Sequence, residues 1–304
     1  MLLSDNKIDF KNIVERVSKE LKIASSFIEK DYYAISILKE LIKRNDKFVF
    51  KGGTSLSVCQ RIIQRFSEDI DISYEDEIIT VSNRRKIEQT FFDSIEAVSL
   101  KVSNPDNIRS RRLFNRYLCP YETVTNHQSI DFNTVIVEWA TLTPSFPIEE
   151  KTAQTIIGKY FDQIGRHDLT IKYGLEEFTV KTITKERTLV DKIFAICDYH
   201  INKKIIRQSR HIYDIYHLLK HVELNDDFIE LFLKVKEYRS QLESCVSVND
   251  GMVISTLLNE IVEQNTYVSD YNNRTYPLLY DHVKYQDCLP SLKAISKFLT
   301  DKNL

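Results

Sequence analysis

Two of the chain's six glycines stand side by side, at Gly52 and Gly53, in the stretch KFVFKGGTSL. Glycine permits backbone angles and close approaches that any side chain forbids. An adjacent pair in so glycine-poor a chain marks a turn whose path matters, and the flanking residues say what it joins. KFVF is short, aromatic and β-branched, which predicts a strand. Beyond the turn, Leu56, Cys59, Ile62, Ile63 and Phe66 recur at helical spacing, and Thr54 or Ser55 stands where a helix cap belongs. DIDIS at 69–73 then alternates polar and apolar, the period of a second strand. The expected unit is strand, glycine turn, a helix reaching Phe66, and strand.

Such a unit brings two chemistries together. Three acids follow closely, Glu68, Asp69 and Asp71. Asp69 and Asp71, two apart on a strand, leave the same face, with Ile70 and Ile72 turned to the core. Like charges held so close repel each other. A divalent cation between them removes the repulsion and supplies Lewis acidity, and magnesium favours carboxylates together with water and phosphates. The alternative is a solvated strand edge, the commoner meaning of Asp-x-Asp taken alone. Glu138 ends the apolar run VIVE, where it is out of place as ordinary core. It is the candidate third carboxylate if its strand lies beside DIDIS, and Asp131 is the weaker one. At the turn, the amides of 53–55 are the open donors of a helix start, and Lys51 adds a positive charge. Together they suit a phosphate; the alternative is a plain tight turn.

The rest of the chain frames this unit. Residues 8–44 read as two helices and 82–98 as another, with strands expected within 110–125, at 129–142 and at 178–183. TPSFPIEE, with two prolines, marks a boundary, giving an α/β core with N-terminal helices over 1–147 and a mainly helical part over 148–304. The length of 304 residues and 42% apolar content allow a sizeable core and argue against global disorder. Charge is nearly balanced, 42 basic against 44 acidic residues for a net −2, so affinity for nucleic acid must come from local patches. NRRK (83–86), RSRR (109–112) and NKKIIRQSRH (202–211) are the candidates, each otherwise a solvated face. Five widely spaced cysteines with no Cys-x-x-Cys argue against a disulfide framework or zinc ribbon and fit a reducing compartment. The start, MLLSDNKIDFKN, lacks the apolar run of a secretory leader, and no stretch is long enough to cross a bilayer. A cytoplasmic location without a membrane partner is expected.

Two later stretches carry charge at helical spacing. Lys185, Thr188 and Lys192 share one face of a helix whose apolar stripe is Leu189, Ile193 and Ile196. Paired lysines can hold a triphosphate or a leaving pyrophosphate, the alternative being a solvated face with Arg187 paired to Asp191. On the next helix Arg210, Asp214, His217 and His221 share a face, with Ile212, Ile215 and Leu219 largely opposite. Asp214 can hold Lys192, and Arg210 can meet a phosphate bidentately. His217 and His221 lack the Glu between them that a zinc protease needs, and read as surface histidines. The tyrosines of 267–285, around Arg274, either stack on bases or simply pack.

Strand, Gly-Gly turn, helix and Asp-x-Asp with a later acid resemble the signature of the nucleotidyltransferase superfamily. FKGGTSL and RFSEDIDI resemble the first motif of the AbiEii/MenT family of toxin nucleotidyltransferases. KERTLVDKIFA (185–195) is similar to that family's Lys-Glu helix, and SRHIYDIYHL (209–218) to its late Arg/Asp motif. The matches keep the family's order across roughly 50–220, and neither 1–45 nor 225–304 carries one. Where many relatives have Arg-Asp, this chain has Arg210-His211. The resemblance implies an α+β fold: a nucleotidyltransferase core of mixed sheet and helices, plus a mainly helical C-terminal lobe. It implies transfer of a nucleotide from an NTP to the 3′ end of tRNA with magnesium, or manganese in its place, and a cognate antitoxin as partner. On the matching positions Asp69, Asp71, Glu138, Lys192 and Asp214 would be catalytic, the first three as metal ligands. Lys51, Gly52, Gly53, Thr54, Arg65, Ser67, Lys185, Arg210 and His211 would bind the NTP. A protein or small-molecule acceptor would use the same core chemistry, and a non-catalytic RNA- or partner-binding module is the alternative from another class.

Overall fold

The alternation in DIDIS is realised as an inner strand of a six-stranded mixed sheet. The computed structural model describes residues 1–67, 69–76, 79–110, 112–125 and 133–304. The chain divides into two compact units, Met1–Cys59 with Ser67–Thr182 and Gln60–Phe66 with Ile183–Leu304.

In the first unit, α1 (Lys7–Leu21) starts where the Asn6 side chain accepts from the Ile8 and Asp9 amides, and α2 (Ser25–Arg44) follows. Then come β1 (Phe48–Lys51), α3 (Gly52–Val58), β2 (Asp69–Tyr74) and α4 (Val81–Glu96), the last capped by Thr80. β3 (Phe114–Pro120), β4 (Thr134–Ala140), β5 (Ile148–Ala153), α5 (Ile156–Gln163), α6 (His167–Lys172) and β6 (Phe178–Ile183) complete it. The strand order is β3-β4-β2-β1-β6-β5. β1 runs antiparallel to β2 and parallel to β6, while β4 runs parallel to β2 and antiparallel to β3. One sheet face is mainly apolar: Phe48, Phe50, Ile70, Ile72, Val135, Val137, Trp139 and Tyr117 are all buried. Phe91 of α4 stacks on Tyr117 at 4.8 Å and lies 5.3 Å from Phe48, so the helix closes this core.

The second unit contains α7 (Lys185–Ile201), capped by Thr184, and α8 (Arg210–Leu219). α9 (Asp226–Ser240), α10 (Ile254–Glu263), the single turn α11 (Val268–Asp270) and α12 (Tyr285–Asp301) follow. Leu189, Ile193 and Ile196 of α7 are fully buried, as the stripe required. α8 departs from the two-faced helix expected. His211 through Ile215 are buried without a break, because the helix packs against both α7 and α12. Of the tyrosines of 267–285, Tyr267, Tyr271 and Tyr285 are fully buried and pack, while Tyr276 is half-buried and Tyr280 exposed.

Three expectations are corrected. The helix after the glycine turn ends at Val58 instead of reaching Phe66, and Arg61 adopts a left-handed φ of 55°. That helix begins at Gly52, so neither Thr54 nor Ser55 caps it. The division of the chain falls at Thr182/Ile183 and not near 147, because β6 hydrogen-bonds in parallel to β1 and so belongs to the sheet. No helix among the described residues is long and apolar enough to cross a membrane.

Candidate active site

The face of the sheet opposite the apolar one carries a charged rung. Lys51 of β1 is the register partner of Asp71 of β2, Asp71 that of Glu138 of β4, and Glu138 that of Arg116 of β3. In-register residues leave a sheet on the same side, so lysine, aspartate, glutamate and arginine line up across neighbouring strands. Asp69 lies two residues before Asp71 on that side, and both aspartates are half-buried, whereas Ile70 and Ile72 between and beyond them are fully buried. The glycine turn folds onto this rung. Gly52 has φ +78°, and a Cβ placed on it would lie 1.8 Å from Asp71 Oδ2. Only a glycine lets the backbone take this path and leaves the Asp71 carboxylate where it is. Thr54 Oγ1 donates to the Asp69 carbonyl at 2.5 Å, tying the start of α3 to β2. The turn and the acids thus form one structure.

Two neighbouring carboxylates on a partly open face suit a hard divalent cation. Glu138 stands beside Asp71 as expected of a third ligand, but its Oε1 accepts from Arg116 Nε at 2.8 Å and Nη2 at 2.5 Å. Among the described residues no three His, Cys, Asp or Glu side chains converge as a finished ligand set. Asp131 and Glu68 lie outside the described residues, as does Arg111 of the RSRR cluster.

The second unit holds a different cluster. Asp214 is fully buried and takes two cations. Arg65 Nε and Nη2 donate to its two oxygens at 2.7 and 2.9 Å, and Lys192 Nζ lies 2.9 Å from Oδ2. Burial alone would raise the Asp214 pKa. Arg65 and Lys192 outweigh it and hold the carboxyl well below the usual range. Arg65 is only 2% exposed, and Nη1 also donates to the Phe66 carbonyl. It was expected at a phosphate; here it braces Asp214. Lys192, 8% exposed, meets Asp214 as α7 and α8 pack. His211, buried and stacked on Tyr199 at 5.5 Å, has no hydrogen-bond partner for Nδ1 among the described residues. Burial, with help from Lys192 and Arg210, pushes its imidazole well below the usual value, so it is neutral at physiological pH.

The remaining predicted residues are less enclosed. Lys185, at the first turn of α7, is partly exposed and lies 3.9 Å from Glu186; Ser67 and Arg210 are half-buried. Arg187 pairs with Asp191 along α7, as a structural reading of that face required. His217 lies 3.0 Å from Asp281 while His221 is exposed, so the two do not act as a metal pair. In the 202–211 stretch Lys203, Lys204 and Arg207 are exposed and make no ion pair among the described residues. Two contributors were missed, Arg116 and Asp281. Arg116 sits at an outward position of an alternating strand, but only the strand register reveals that it faces Glu138.

The sequence profile described as "Nucleotidyl transferase AbiEii toxin, Type IV TA system" matches residues 36–293. No curated protein matches the chain significantly in sequence. Among solved structures, it is similar to MenT4, a nucleotidyltransferase toxin from Mycobacterium tuberculosis H37Rv, at 16% identity and a TM-score of 0.54. That alignment covers 96% of this chain and 89% of the other, and at such identity it speaks to the fold.

Proposed function

The chain belongs to the AbiEii family of nucleotidyltransferase toxins of type IV toxin–antitoxin systems, and on that premise we propose that it transfers a nucleoside monophosphate from an NTP to the 3′ end of tRNA, blocking translation until an antitoxin counters it. The observation that carries the reading is the aspartate pair on one sheet face with the glycine backbone folded against Asp71. In the reaction the 3′-hydroxyl oxygen attacks the α-phosphorus. The bond from that phosphorus to the bridging oxygen breaks, its electron pair leaves with pyrophosphate, and the hydroxyl proton passes to a carboxylate of the site or to solvent. Asp69 and Asp71, with Glu138 beside them, would hold magnesium, which supplies Lewis acidity toward the phosphates.

The chain's own residues do the rest by position and charge. Gly52 and Gly53 keep the turn close to Asp71, and Thr54 fixes that turn through the Asp69 carbonyl. Lys51 and Ser67 are the neighbouring groups for phosphate oxygens. Lys192 is a cation held by Asp214, and Arg65 braces that carboxylate from the other side. With Lys185 and Arg210 it offers positive charge of the kind that phosphate oxygens take, and neutral His211 would offer a ring nitrogen as a hydrogen-bond acceptor. Exposed Lys203, Lys204 and Arg207 supply charge for an RNA backbone.

The test is incubation of the protein with total tRNA, magnesium and each α-labelled NTP in turn. Label on tRNA with one or two of the NTPs is the expected result. Label only on protein or a small molecule would replace the acceptor. No label with any NTP would overturn the reading.

A further inference from the structure

Two stretches far apart in the sequence, 64–66 and 278–281, meet on α8 within the second unit. Arg65 and Leu279 are antiparallel bridge partners. On either side of that bridge, Phe66 N donates to the Leu278 carbonyl at 3.0 Å and Tyr280 N to the Gln64 carbonyl at 2.8 Å. Gln64 N donates to the Tyr213 hydroxyl at 3.1 Å, and that hydroxyl donates to Asp281 Oδ2 at 3.0 Å. His217 Nε2, one turn along α8, lies 3.0 Å from the same oxygen. Tyr213 is the neighbour of Asp214 on the helix. So α8 grips residues 64–66 twice: through the backbone at Tyr213 and through the guanidinium at Asp214.

We propose that Tyr213 and Asp281 are a positioning pair that fixes Arg65, and through it Asp214 and Lys192, for nucleotidyl transfer. The inference rests on the reading of Lys192 as a ligand of the NTP phosphates. A long arginine side chain holds a buried carboxylate in one orientation only if its own backbone is fixed, since each free torsion would otherwise blur the contact. Residues 64–66 lie in neither a helix nor a strand of the sheet, and the 278–281 segment and the Tyr213 hydroxyl hold their backbone through the bonds above. The hydroxyl must accept from one side and donate to the other, which phenylalanine cannot do. Asp281 Oδ1 is buried with no hydrogen-bond partner among the described residues, so Oδ2 carries the connection. This gives the C-terminal part of the chain, which carries no recognisable motif, a task at the site.

The experiment compares Tyr213→Phe, Asp281→Ala, Asp281→Asn and Lys192→Ala in the labelled-nucleotide assay, at a temperature where melting curves show every variant folded. Tyr213→Phe and Asp281→Ala should each lower kcat about tenfold, a fraction of the roughly hundredfold that a full ångström of misplacement can cost, with KM for the acceptor RNA unchanged. Asp281→Asn should recover most of the loss, because a carboxamide oxygen still accepts from Tyr213. Amide exchange at Gln64 and Tyr280 should speed up in the first two variants and not in Asp281→Asn. Near-wild-type kcat in folded Tyr213→Phe, with Lys192→Ala crippled, overturns the positioning role alone. Near-wild-type turnover in Lys192→Ala overturns the underlying reading of the site, and this inference with it. A lowered melting temperature with unchanged kcat reduces the pair to a purely structural contact.

Discussion

Asp71 and Asp214 are both carboxylates set beside cations, yet they are built in opposite ways. Asp71 is half-buried on a sheet face next to Asp69 and Glu138, with Lys51 and Arg116 at the two ends of the rung. With Asp69 added, that rung carries an excess of one negative charge. Asp214 is fully buried, has no like charge paired with it among the described residues, and takes both Arg65 and Lys192, so its trio carries an excess of one positive charge. The charge balance of the first suits a cation and that of the second an anion.

The sharpest way to break this comparison is to neutralise each carboxylate in turn. Asp69→Asn and Asp71→Asn should each lower transfer by about a thousandfold or more, since asparagine removes the charge that a divalent ion requires. Both should melt at or slightly above the wild-type temperature, because crowded like charges are relieved. Asp214→Asn should instead cost about 3–5 kcal/mol of stability, leaving two buried cations without their carboxylate. Its stabilising effect should be present above about pH 4 and fade below it, as the unfolded carboxyl takes up a proton and the folded one resists. Transfer assays and melting curves on the three variants decide the point: similar stability losses in Asp71→Asn and Asp214→Asn would erase the distinction.

Lys192→Ala should come next, lowering turnover about a hundredfold, whereas Lys185→Ala should lower it far less. Lys192 is held on Asp214, while Lys185 is partly exposed at the start of α7. Equal turnover in the two variants, measured at saturating NTP, would remove the privileged place of the Asp214 cluster.

Gly52→Ala should reduce transfer about tenfold and lower the melting temperature by a few degrees. The new Cβ falls 1.8 Å from Asp71 Oδ2, and the positive φ adds backbone strain. Gly251→Ala, also at positive φ but with nothing near, is the control for strain alone. If both variants keep full transfer, the contact between turn and carboxylate has no role in catalysis.

The smallest effect expected is a slope. His211 is held neutral in the fold by burial and by Lys192 and Arg210, while the unfolded chain would protonate it near pH 6.5. The unfolded state therefore binds more protons below that pH, and stability falls as pH drops. His211→Asn should flatten the dependence of melting temperature on pH between about 6.5 and 5, leaving the part due to His217, which burial also pushes down.

What the sequence disclosed about these two regions follows from the range of the forces involved. The glycine turn and the Asp-x-Asp strand were readable because a two-residue period and an adjacent glycine pair are local signals. The meeting of Lys192 with Asp214 was readable from helical spacing together with the family motifs. Arg65 was not: an arginine in a polar-looking stretch gives no sign that it will be buried against a residue far along the chain. Arg116 was missed for a related reason, since a cross-strand partner is set by register, which no single strand encodes. The helix after the turn was drawn too long because apolar residues at 62, 63 and 66 keep helical spacing while serving the core of the other unit. The unit boundary was misplaced because β6, noted as a strand, finds its place only through β1.

The alternation along β2 does two jobs with one pattern. Ile70 and Ile72 fill the core because they alternate with Asp69 and Asp71, so a slip of the strand by one residue would put carboxylates into the core and isoleucines on the charged face. A chain in the wrong register would thus lose its core and its site together. For a toxin this couples quality control to potency. If the aspartates act as proposed, a copy in the wrong register would be inert, and a copy with an intact core would carry its carboxylates on the charged face. The same coupling narrows the routes by which mutation can disarm the protein quietly: changes at the isoleucines should be seen first as lost protein, and only changes at the aspartates as intact protein without activity.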